Sequence, residues 1–304
     1  MGSSQSTTNS PGPTMYTATA SASIAAAQAT ALTLSPTSNV KGKTFDRFVQ
    51  IYLENQDFDI AAGDPNLAYL ATLGITLNNY YAVTHPSQPN YVAAVGASTH
   101  GVFLDTATRI GSDTETIVDL LEAANVSWSV YMEDMPYSGF EGDYVNQENG
   151  ANDYVRKHNP MMSYDSVTED LNRLAKSKNF TMFYKDLAAN TLPQWMFITP
   201  NMTNDGHDSS VTVAGTWART FLEPLLDNPN FNTDRTLVVL TFDECENYFA
   251  ENRVFTVLLG GVVEGKEGTT NSTKFNHYSL SKTAEDNWNL GNLGENDVDA
   301  TPLV

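Results

Sequence analysis

Two apolar runs, Thr236–Phe242 and Val254–Leu259, constrain this chain more than any other feature. A strand with apolar residues on both faces has to be covered on both, which is the situation of a central strand in a parallel sheet. Further strands are expected at Phe45–Leu53, Ile75–Val83, Ser127–Met132 and Gln194–Thr199. Helical patterns fall between them, at Pro65–Leu73, Tyr91–Val95, Thr114–Ala124 (capped by Asp113), Asp165–Lys176, Met182–Asn190 and Val211–Leu226. A long polar loop, Glu133–Pro160, breaks the rhythm. The alternation predicts an α/β fold with a mostly parallel central sheet and helices on both faces.

The 304 residues suit one large α/β unit. Residues 1–40 carry no charged side chain and are mostly Ser, Thr, Ala and Pro, so they are expected to form a flexible low-complexity arm. Within that arm, Ala20–Leu34 has a composition open to a helix, and a single domain is expected over 41–304. The one cysteine, Cys245, excludes an internal disulfide and a cysteine-built zinc site. No run reaches the roughly 18 apolar residues of a membrane span, and Met1-Gly2-Ser3-Ser4 lacks the basic segment of a signal peptide.

Charge narrows the function classes. Thirty-six acidic against 16 basic residues leave a formal net charge of −20, which opposes binding to nucleic acid or to anionic membranes. A site for an anionic substrate then has to concentrate positive charge locally, most readily with a metal ion.

In a parallel sheet the working residues lie just past the carboxyl ends of the strands. Here those positions read Glu54-Asn55, then Thr84-His85-Pro86-Ser87-Gln88-Pro89-Asn90, then Pro200 to Asp208, then Asp243-Glu244. Carboxylates, amides, a hydroxyl and histidine, with almost no Lys or Arg, form the pattern of a metal-centred site. Glu54 and Asn55 offer hard oxygen ligands, or simply a polar turn. Asp243 beside Glu244 creates like-charge repulsion that a cation relieves, although Glu246 also allows an acidic surface loop. Ser87 is either a helix N-cap or a nucleophile at a phosphate-receiving helix N-terminus, activated by a metal. Asn90 is a candidate donor to a phosphoryl oxygen. His158 lies in the basic knot Arg156-Lys157-His158, either facing an anionic substrate or in a solvated turn. His207, in a loop of small polar residues, suits a donor or general acid. His85, His100 and His277 read as structural. No Gly-x-Ser-x-Gly, Walker, Gly-x-Gly-x-x-Gly or His-Glu-x-x-His motif is present. Sequons at Asn125, Asn179, Asn201 and Asn271 are no more than the roughly five this composition yields by chance.

Taken together, Ile51-Tyr52-Leu53-Glu54-Asn55, His85-Pro86-Ser87-Gln88-Pro89-Asn90-Tyr91, Arg156-Lys157-His158-Asn159-Pro160, Asn204-Asp205-Gly206-His207-Asp208 and Thr241-Phe242-Asp243-Glu244 resemble the phosphoesterase family. The likeness runs from about Lys41 to Leu290. Within that family of phospholipases C and acid phosphatases, the chain is most similar to secreted fungal acid phosphatases. The resemblance implies an alkaline-phosphatase-like sandwich and a metal-assisted phosphoserine mechanism. It implies one divalent ion on Glu54, Asn55, Asp243 and Glu244, with Ser87 as the nucleophile also touching it. Asn90, His158 and His207 would bind the phosphoryl oxygens, one histidine protonating the leaving alcohol. Oxygen ligands favour Mg²⁺ or Ca²⁺, and the nearby histidines leave Zn²⁺, Mn²⁺ or iron open. Many bacterial members follow the Asp-Glu pair with glycines and a histidine; Cys245-Glu246-Asn247-Tyr248 stands here. Without the extra C-terminal domains of the long phospholipases C, the expected substrate is a small phosphate monoester, at a secreted or cell-wall location. A phospholipase C-type phosphodiesterase, an acyl hydrolase on Ser87, and a non-catalytic acidic surface protein are the alternatives.

Overall fold

The computed structural model describes residues 19–304; the start of the expected arm, residues 1–18, lies outside the described residues. Eight strands form the main sheet: β1 (Arg47–Leu53), β2 (Ile75–Leu77), β3 (Trp128–Met132), β4 (Ser177–Asn179), β5 (Trp195–Thr199), β6 (Thr236–Phe242), β7 (Val257–Leu259) and β8 (Thr269–Asn271). Their order across the sheet is β8-β2-β7-β6-β1-β5-β3-β4. Every residue of β3, β5 and β6 is buried, so these strands are covered on both faces as their apolar sequences require. The sheet is parallel except at β7, which runs antiparallel to both β6 and β2.

That exception corrects the expectation of a second parallel core strand in Val254–Leu259. The segment joining β6 to β7 contains no helix, and a parallel return needs a crossover, usually helical. The expected strand Ile75–Val83 divides at Asn78-Asn79: Ile75–Leu77 joins the main sheet, while Tyr80–Tyr81 pairs with Phe275–Asn276 in a separate ribbon. The expected helix Asp165–Lys176 divides too, because the Asp170 carboxylate caps a new helix, Leu171–Leu174. The helix expected from Thr114 starts at Ile117. Thr116 and Asp119 form a capping box there, which displaces Asp113 from the capping role.

Residues 19–40 contain the helix Ser21–Thr30, with Ile24 buried. The extended piece after it bonds to the body: Leu34 N–H donates to Ala175 O (3.0 Å), and Val40 N–H donates to the Gln194 side chain (2.8 Å). Contact with the domain therefore begins before Lys41, through these hydrogen bonds and through Ile24 and Val40, which pack with the core.

Candidate active site

β1 lies between β6 and β5, and Leu53 of β1 is in register with Phe242 of β6. The next residues, Glu54 and Asp243, therefore emerge side by side at the carboxyl edge. Two backbone bonds lock the pair: Asp243 N–H donates to Leu53 O (3.0 Å), and Asn55 N–H donates to Asp243 Oδ1 (2.9 Å). Asn55 takes a positive φ of 58°, a conformation asparagine tolerates better than most residues.

Pro86 is the N-cap of the helix Ser87–Gly96, so Ser87 is the first residue of that helix and not its cap. Its hydroxyl instead meets Glu54 Oε2 at 3.0 Å and Glu244 Oε1 at 2.9 Å. Glu54 also accepts from the Tyr91 hydroxyl (2.7 Å), and His158 Nε2 stands 3.0 Å from the same oxygen. The His158 ring is stacked on Tyr91, with 5.0 Å between centroids. On its other side, His158 Nδ1 lies 3.5 Å from Asp205 Oδ2. His207 completes the group from the rim, its ring centroid 6.0 Å from that of His158 and its Nδ1 2.8 Å from Asp208 Oδ1. The residues singled out from sequence are thus brought to one place.

Asn90 belongs to this region in a different capacity. Its amide donates to Thr84 O (2.9 Å) and Pro86 O (3.2 Å), and its oxygen accepts from the N–H groups of Val83 (3.0 Å) and Thr84 (3.1 Å). Both amide hydrogens are committed to the turn before Ser87, so none is left for a phosphoryl oxygen. His85, read as structural, pairs with Glu244 and stacks on Tyr248. His277 holds the frame, between the carbonyl of Asp243 (2.6 Å) and the Tyr52 hydroxyl (2.8 Å).

Asp205 and Tyr91 are the site residues that sequence reasoning passed over. Asp205 is fully buried, and its backbone carbonyl accepts from Glu54 N–H at 2.9 Å. Gly206, at φ +104°, lets the loop turn close over Glu54: a Cβ there would stand 3.3 Å from Glu54 O.

The electrostatics are those of crowded acids. Burial, then the neighbouring carboxylates Asp243 and Asp205, hold Glu54 well above the usual carboxylate range. Burial raises Asp243 to about 6, and burial with Asp243 raises Glu244 to about 9. Burial is also the main reason that Asp205 is raised and that His158 is held well below the ordinary histidine value. Positive charge comes from Lys157, which is salt-bridged to Asp105 at 2.7 Å and acts on Glu54, Asp205 and Glu244.

No trio of His, Cys, Asp or Glu side chains among the described residues stands in a ready-made ligating arrangement. The donor chemistry nevertheless fits a hard divalent cation. Asn55 Oδ1, Asp205 Oδ2 and Asp243 Oδ2 are buried without a hydrogen-bond partner, and a cation would relieve the charge that raises these acids.

The model of the phosphoesterase family matches residues 64–291. The chain is 52% identical over 283 residues to a phosphate-repressible acid phosphatase of Penicillium chrysogenum, covering 93% of this chain and 68% of that protein. It is 50% identical over 271 residues to an acid phosphatase of Aspergillus fumigatus, covering 88% of this chain and 60% of that one. The chain therefore spans about three fifths to two thirds of the length of these relatives. Among solved structures, a protein in the alkaline phosphatase superfamily from Vibrio parahaemolyticus matches with a TM-score of 0.55 at 12% identity, covering 92% of this chain and 78% of that one. This likeness bears out the expected fold.

Proposed function

This chain belongs to the phosphoesterase family, and from that premise we propose that it is an acid phosphatase working on phosphate monoesters through a phosphoserine intermediate. One observation carries the reading: the Ser87 hydroxyl, at a helix N-terminus, contacts carboxylates from two separate strand ends. With Glu54 or Glu244 ionised, Ser87 Oγ attacks phosphorus as its proton passes to that carboxylate. The Oγ–P bond forms, the bond from phosphorus to the alcohol oxygen breaks, and His207 protonates the departing alcohol. Water then splits the Ser87–phosphate bond, its proton passing to His207 while the carboxylate returns its proton to Ser87 Oγ, releasing phosphate and restoring the hydroxyl. His158, held neutral by burial, donates to a phosphoryl oxygen.

Glu54, Asn55, Asp243 and Glu244 would hold one divalent ion, with Ser87 beside it; Asp205 joins them as a candidate. When bound, such an ion keeps the carboxylates ionised, lowers the hydroxyl pKa and offsets phosphate charge. The same proposal extends to small leaving groups, to secretion or cell-wall placement, and to glycosylation at the exposed sequon Asn125.

Ser87→Ala is expected to lower turnover of phenyl phosphate by about 10³-fold or more with the circular dichroism unchanged. Chelation should abolish the wild-type activity and metal add-back restore it, with elemental analysis naming the ion. Near-normal turnover by the alanine variant removes the nucleophile; full activity in exhaustively chelated, metal-free protein removes the ion. Faster cleavage of bis-aryl than of mono-aryl phosphates would move the assignment to a phosphodiesterase.

A further inference from the structure

Tyr248 is not explained by the chemistry above. It lies in the segment Cys245-Glu246-Asn247-Tyr248 that follows Asp243-Glu244. Its ring is stacked on His85 at 4.1 Å between centroids and 25° between planes, yet the residue is 55% exposed. His85 pairs with Glu244, and Glu244 accepts from the Ser87 hydroxyl, so two side chains separate the aromatic ring from the nucleophile.

The ring is held in place by its own loop. Cys245 N–H donates to Asn252 Oδ1 (2.9 Å), and Asn252 Nδ2 donates to Thr84 O, in the turn that leads to Ser87 (2.8 Å). Asn247 N–H donates to Asp57 Oδ1 (3.0 Å), tying the loop to the residues after β1. With one face packed on His85 and more than half of its surface in solvent beside a polar site, the ring offers a flat surface on which a planar group can stack. The charges around it narrow the choice. Glu244, Asp105 and Asp243 act on Tyr248 with Lys157 alone opposing them, so the balance of charge around the ring is acidic and disfavours a leaving group carrying further negative charge.

We infer that Tyr248 is a specificity-determining residue, whose exposed surface stacks against an uncharged aromatic leaving group of the phosphate monoester. The inference rests on the monoesterase reading and names the substrate class for that same site. Stacking of this kind contributes only in the presence of a planar group, so it acts on the choice between substrates and not on the chemical step.

The experiment compares kcat/KM for naphthyl phosphate and for glycerol 2-phosphate in the wild type, Tyr248→Phe and Tyr248→Ala. The aryl-to-alkyl ratio should fall about fivefold to tenfold in the alanine variant, chiefly through the KM of the aryl ester, and stay near wild type in the phenylalanine variant. An unchanged ratio in Tyr248→Ala overturns the inference. So does a parallel fall for both esters, which would make Tyr248 a positioning residue acting through His85. A wild-type protein that turns over neither ester overturns the monoesterase reading itself, a result distinct from either of these.

Discussion

Both amide hydrogens of Asn90 go to the carbonyls of Thr84 and Pro86, and its oxygen takes the amides of Val83 and Thr84. One side chain thus satisfies the backbone of the turn that delivers Ser87. Asn90→Ala should therefore cost about 2–3 kcal/mol of stability, seen as a lower urea midpoint at unchanged m-value. A residue that only bound phosphate would leave the midpoint untouched and raise KM alone. The position of Asn90, three residues after Ser87, is legible in the sequence; the direction of its amide is not, because that depends on how the preceding turn folds back. Glu54, Ser87, Asp243 and Glu244 are legible because each follows or faces a recognisable apolar strand. Asp205 is hidden among the Asn, Asp and Thr residues of its loop, where nothing in composition marks the one that is buried. Tyr91 is hidden for the opposite reason, since an aromatic residue in a helix reads as core.

The helix Ser87–Gly96 is buried along its whole length, so its placement is decided by close fit on every side. At its far end the Tyr164 hydroxyl donates to Val92 O (2.9 Å), and a Cβ on Gly96 would stand 2.1 Å from that hydroxyl oxygen. Gly96→Ala has to expel the Tyr164 ring or shift the helix. It should lower the thermal midpoint, with a loss of about 1–3 kcal/mol, and reduce kcat by moving Ser87 against Glu54 and Glu244. Thermal unfolding and steady-state kinetics on the same preparation check both effects. Elements with strong apolar patterns, such as β5 and β6, are readable from sequence. Ser177-Lys178-Asn179 has no strand-like alternation, and its pairing with β3 depends on a neighbour already in place. The reversed direction of β7 is equally unreadable, since an apolar run carries no arrow.

At the scale of the whole molecule, the −20 charge makes protons part of the structure. The clearest case away from the site is Glu285, in the helix Tyr278–Trp288. Burial and then Asp297 raise its pKa from an ordinary 4.5 to about 8, with Asp286 adding to the rise and Lys282 opposing it. Between those two values the folded chain keeps a proton that the unfolded chain has released. Stability from this group is therefore full below pH 4.5 and is lost as pH rises towards 8. Glu285→Gln should flatten that decline in urea midpoints measured across the interval, and an equal slope in both proteins would discount the group. Acidic working conditions, expected from the easing of repulsion towards an anionic substrate, would suit the same stability profile.

The register that aligns Leu53 with Phe242 has a lasting consequence. Since Glu54 and Asp243 are the direct continuations of two core strands, this carboxylate pair is expected to keep its geometry under heat or denaturant for as long as the sheet's middle does.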